Sequence, residues 1–233
     1  MADRNKEDRR IGDHVRQGSW DDLRKTLGDL ESQLRSAGDA LFVREDLQEG
    51  CRVYPAIARA TADQIRLLAT HAEQPIEITA GICRLVFEMN VVLRYCLSSP
   101  ENLVNYADQA VSDDISIHKA FKKLSHSGTN PATIEAIDQR IAELRDLMAR
   151  HNRNLSPDRF STAQMAKEVG LRDDYEALYG LFSKYVHASA WFVLRPRAHT
   201  DTPDYRMSMQ VNTQVYANDT LHRLRTLAGV AGY

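Results

Sequence analysis

Arg84, Glu88, Tyr179, Ser183 and His187 carry the most concentrated chemistry in this chain. Arg84 and Glu88 stand four apart in the segment ICRLVFEMNVVLRYCL, from Ile82 to Leu97, so they share one helix face at about 100° per residue. A lone carboxylate among Leu85, Val86, Phe87, Met89 and Val92 is costly to bury, and Arg84 is the nearest group that can offset it with paired donors. The plainer reading is a solvent-facing ion pair in the less favourable Arg-before-Glu order, worth roughly a few tenths of a kcal/mol. Downstream, with Tyr175 as origin, Glu176, Gly180, Ser183 and His187 fall within an arc of about 60° on a helical wheel. Tyr175, Leu178, Tyr179, Phe182 and Val186 fill the adjoining arc and are expected to face the core, with the tyrosine hydroxyls at its edge. Glu176 reads as solvated, and Ser183 and His187 read equally well as working groups or as a solvated serine and a structural histidine. Gly180, at a mid-helix cost of about 1 kcal/mol against Ala, suggests the close approach of another helix or a ligand. If the two helices pack side by side, the pocket holds a cation, a carboxylate, hydroxyls and an imidazole, a set suited to anion binding or acid and base work.

The elements that must position these residues are helices. Helical rather than alternating periodicity runs along nearly the whole chain, with only 11 Gly and 7 Pro to interrupt it, which predicts an all-α fold: a mostly antiparallel bundle of six to eight helices. Residues 1–18 mix both charges with almost no apolar residues and read as a mobile arm, leaving 19–233 as a single helical domain. Ser19 with Asp22 forms a capping box for a helix reaching about Ala37. Further helices are expected from Pro55 to His71, Pro75 to Ser98, Glu101 to Leu124 and Pro131 to Arg150, with Ser125 to Asn130 as a loop. Ser161 and Gln164 cap a short helix that Gly170 ends, and a helix from Asp173 to Ala190 follows. Leu194 to Asp204 reads as a loop, and Met207, Met209 and Val211 as the approach to a last helix ending near Ala228. On the Ile82 to Leu97 helix, Asn90 and Arg94 fall on a second face about 120° from Arg84 and Glu88.

Arg84, Glu88 and Arg94 in the first block, with MAKEVGL, Tyr179, Ser183 and His187 in the second, resemble a bacterial all-helical family catalogued as a domain of unknown function. The resemblance runs from about Arg59 to Val193. It implies a cytoplasmic binding or effector module of a stress or phage-defence kind, with His187, Arg84 and Glu88 as candidate catalytic residues and Tyr179, Ser183 and Arg94 as ligand contacts. The architecture is also similar to that of HEPN ribonucleases, an analogy of fold that does not carry activity. Those enzymes place a His four to six residues after an Arg, and three stretches here do so: Arg9 to His14, Arg66 to His71 and Arg145 to His151. Chance alone gives roughly two such matches in a chain this rich in Arg. A metal-independent ribonuclease using His187 as acid or base and Arg84 to hold the phosphate is the alternative reading, and a structural bundle that docks partners through amphipathic helices is the third.

Composition excludes several classes. Thirty basic against 32 acidic residues give no overall footprint for nucleic acid or an anionic membrane. Any nucleic acid or nucleotide must meet a local patch, for which the loop around Arg195, Arg197, His199 and Arg206 is the candidate. Cys51, Cys83 and Cys96 form no C-x-x-C pair, so neither disulfides nor a structural zinc site is expected, and a reducing cytoplasm fits. The opening MADRNKEDRR has no apolar core of the kind a secretion signal needs, and Arg84, Glu88 and Arg94 interrupt the most apolar helix, so no secretion signal or membrane span is expected. The chain carries no H-E-x-x-H, Walker, G-x-G-x-x-G or G-x-S-x-G pattern. No metal or cofactor is expected, whereas a protein partner or a homo-oligomer remains compatible with the amphipathic helices.

Overall fold

Helix α1 spans Trp20–Phe42, and the capping box at its start is formed: the Ser19 hydroxyl accepts the Asp22 N–H while Asp22 reaches back to the Ser19 backbone. The structure is a computed structural model that describes residues 19–47, 50–71, 73–125, 130–153 and 160–229, so the expected arm at 1–18 and most of the loop at 125–130 lie outside the described residues. α2 is Gly50–His71, α3 Ile76–Ser98, α4 Pro100–Leu124 and α5 Pro131–Arg150. Ser99 and Asn130 cap the last two, each with proline in the first helical position, where a missing N–H costs nothing. α2 begins five residues before Pro55, so proline sits inside the helix, where it gives up one N–H bond and crowds the carbonyl four residues back. α6 is Thr162–Glu168, ended by Gly170 at φ +75°. The described residues are all-α, with no strand.

The described residues divide into two compact units, one within 1–95 and 162–233 and the other within 96–161. In the first, α1 and α2 run antiparallel and bury Leu27, Leu30 and Leu34 together with Ile57, Ile65 and Leu68. They pack tightly at Gly38, where a Cβ would come within 3.0 Å of the Ala58 Cβ. In the second, α4 and α5 pair around Ile115, Ile141 and Leu144, with Val111 and Ile137 beside them. Ion pairs Lys122–Asp138, Arg140–Asp114 and Arg153–Asp108 line that pair.

The helix expected from Asp173 to Ala190 is instead three pieces: α7 at Arg172–Asp174, a π-helix at Tyr175–Tyr179, and α8 at Gly180–Val186. It stops early because Ser189 turns its side chain on the backbone, donating to the Lys184 carbonyl and accepting the Phe192 N–H that opens α9, Ala190–Leu194. His187 is left extended at the end of α8. The expected loop at Leu194 to Asp204 holds a further turn, α10 at Arg197–Thr200. α11, Pro203–Ala228, absorbs Met207, Met209 and Val211 and ends at Gly229 in the left-handed region. α3 and α11 run parallel: the Cys83 thiol meets Thr213, and Asn90 meets Tyr216, Asp219 and Thr220.

Candidate functional site

Two polar clusters flank α3, both within the first unit. The first is centred on Arg84. Its Nε donates to Glu88 Oε1 at 2.9 Å, its Nη2 to the Tyr179 hydroxyl at 2.5 Å, and its Nη1 lies 3.3 Å from His187 Nε2. A guanidinium has no acceptor, so the last contact is a hydrogen bond only when Nε2 carries the lone pair and the ring proton sits on Nδ1. The guanidinium also lies over the Tyr179 ring, 4.2 Å from its centroid, and Tyr179 stacks on Tyr175 at 4.5 Å. The Arg84 and Glu88 side chains are 19% and 22% exposed, between the buried and the solvent-facing readings, while His187 is open to solvent. Burial, then the neighbouring Tyr179 and the charge of Glu88, push the Tyr175 phenol up to about 12.

Ser183 lies on α8, four residues from Tyr179 and four from His187, and its buried Oγ has no hydrogen-bond partner among the described residues. Gly180 is not a point of close approach, since a Cβ there would meet nothing within 4 Å. Gly81 faces this helix at ordinary contact distance, where a Cβ would lie 3.7 Å from Val186 Cγ1. Glu176 is exposed and pairs with Arg172.

Arg94 does not join Arg84. It belongs to the second cluster, where Asp219 Oδ2 receives Asn90 Nδ2 at 2.7 Å, Arg94 Nε at 3.1 Å and Arg223 Nε at 2.8 Å. Asn90 also donates to the Tyr216 carbonyl and to Thr220, and accepts from Arg94. Burial alone would raise the Asp219 carboxyl, but the hydrogen bond from Arg223, the charge of Arg94 and the hydrogen bond from Asn90 outweigh it and hold the group below the usual carboxylate range. Burial, with Asp174 accepting its hydrogen bond, raises the Tyr216 phenol. Sequence reasoning missed Asp219, which shared only part of the signal of Glu88: an Arg stands four residues away on the same helix, but that helix is polar overall.

The basic loop is largely neutralised. Arg197 forms a two-pronged pair with Glu77 at 3.1 and 2.9 Å, and Arg206 pairs with Asp201 and donates to the Gln74 carbonyl, while Arg195 is exposed. Of the Arg-to-His stretches, Arg9 to His14 lies outside the described residues, and Arg145 and His151 are both exposed on the second unit. Cys83 and Cys96 are buried, and burial pushes both thiols up to about 12, far from the thiolate a nucleophile needs at neutral pH. Among the described residues no group of His, Cys, Asp and Glu is arranged to hold a metal ion, and no helix is long and apolar enough to cross a membrane.

The model of a family of unknown function, DUF5677, matches residues 56–204, and the chain belongs to that family. The matched span contains every member of the Arg84 cluster and ends before Asp219 and Arg223. No curated protein and no solved structure matches the chain.

Proposed function

We propose that the chain is a binding module that takes a small anionic ligand at Arg84 and His187. The observation that carries this reading is the arrangement of the Arg84 guanidinium, which spends one N–H on each of Glu88, Tyr179 and His187 and rests on the Tyr179 ring. A cation held from three sides has lost most of its freedom before a ligand arrives, so binding costs less ordering entropy. One N–H on each terminal nitrogen remains to be given, in the planar fork that suits phosphate and carboxylate. The unpartnered Ser183 hydroxyl and the exposed His187 ring supply further donors or acceptors on the same helix. The stress or phage-defence setting of such a module comes from the family resemblance; the geometry speaks to the site.

Calorimetric titration with inorganic phosphate and with AMP tests the reading. Saturable binding that weakens at least tenfold in His187→Ala and in Arg84→Lys supports it. Heats that do not saturate, or that are the same in both variants, refute it. The ribonuclease alternative draws on the 3.3 Å approach of the open His187 ring to Arg84, which places an acid or base beside a phosphate-holding cation. It requires RNA cleavage that survives a chelator and vanishes in His187→Ala.

A further inference from the structure

We propose a second oxyanion site, of the phosphate class, formed by the guanidiniums of Arg94 and Arg223. It stands apart from the Arg84 site and does not depend on it. Asp219, whose side chain is only 7% exposed, is the one carboxylate bonded to these two arginines among the described residues, and one of its oxygens takes contacts from both. One carboxylate balances one guanidinium, so this trio keeps a net positive charge at a place where water screens it poorly. Arg223 binds through Nε alone and has no hydrogen-bond partner on either terminal nitrogen among the described residues. Arg94 spends its Nε on Asn90 and Asp219 and has only the 3.0 Å ion-pair contact of Nη2 with the same carboxylate oxygen. Their side chains are 21% and 31% exposed, so the unspent N–H groups are reachable from solvent.

The anchoring is rigid. Asn90, fully buried, holds Asp219 from α3 while tying itself to the Tyr216 carbonyl and Thr220 of α11, so both arginines are fixed by one carboxylate spanning two parallel helices. Two preset planar forks with spare donors match the several oxygens of a phosphate better than a single point charge would. Both arginines lie just before the last turn of their helices, outside the stretch where carbonyl ends repel an anion.

Calorimetry of the full chain carrying His187→Ala, titrated with inorganic phosphate and with AMP, isolates this site from the one at Arg84. We expect saturable phosphate binding there that falls at least tenfold when Arg223→Gln is added and to an intermediate degree with Arg223→Lys, which keeps the charge and loses the fork. AMP binding as tightly as phosphate would assign the site to nucleotide-borne phosphate, and phosphate alone to the free ion. Because Asn90 and Arg94 still hold Asp219 in Arg223→Gln, its urea midpoint is expected near that of the parent, which separates lost binding from lost folding. No saturable binding to the His187→Ala protein, or binding indifferent to Arg223→Gln, overturns the inference whatever the wild-type protein does at Arg84.

Discussion

The two polar clusters beside α3 solve the problem of a carboxylate near apolar side chains in opposite ways. At Arg84 the acid and the base balance each other, both keep about a fifth of their surface in water, and the remaining partners are a phenol and an imidazole. At Asp219 the acid is nearly dry and two arginines plus an asparagine converge on it. The first arrangement can release or accept a partner at small cost. The second cannot lose its carboxylate without stranding two cations, so it is both anchor and charged surface. The same residue types thus do different work according to how much water they retain.

The contrast is broken most directly by Asp219→Ala, which we expect to cost on the order of 3 to 5 kcal/mol by leaving the arginines uncompensated, read from urea melts. Arg84→Ala should cost less, about 2 kcal/mol, because Glu88 keeps some water when its partner goes. Equal losses for the two variants would erase the distinction. Acid sharpens it: the Asp219 carboxyl is held below its unfolded value, so its stabilisation is present above about pH 4 and is lost as pH falls through the lowered folded value. Asp219→Asn should therefore flatten the acid limb of stability against pH, and an unchanged limb would argue that the carboxylate is not held ionised. On the alkaline side, Tyr175 and Tyr185 are raised to about 12, so their contribution is intact below about pH 10 and fades as pH rises through the folded value. Phenolate absorbance should show one fewer late-titrating tyrosine in Tyr175→Phe. The smallest effect is Gly180→Ala, expected to stabilise by about 0.5 to 1 kcal/mol since the added methyl meets open space. A loss there would mean that the junction after the π-helix needs glycine after all.

Several helix ends were legible from their caps. Ser19 with Asp22, Pro131 and Gly170 each mark a boundary that the structure keeps, because capping is local chemistry and needs no tertiary partner. The pairing of Arg84 with Glu88 and the approach of His187 were legible too, as was the separate face of Asn90 and Arg94, though its partner Asp219 was not. Pattern reading assumes 3.6 residues per turn, so it had no way to see the π-helix at Tyr175–Tyr179. It also missed the competition by which Ser189 ends α8 at Val186, since a serine inside an apolar run looks like any other helical position until its backbone partners are known.

The π-helix has a consequence for how this chain can vary in length. Its i→i+5 bonding accommodates one more residue per turn than an α-helix, which makes it equivalent to a continuous helix bearing a single-residue insertion that never displaced its flanks. Removing one residue there, such as Ala177, would let the wide turn close into an ordinary one while α8 keeps Val186 against Gly81 and His187 beside Arg84. A lineage could therefore gain or lose this residue with the site intact, whereas the same deletion two turns later would rotate His187 away from its partner.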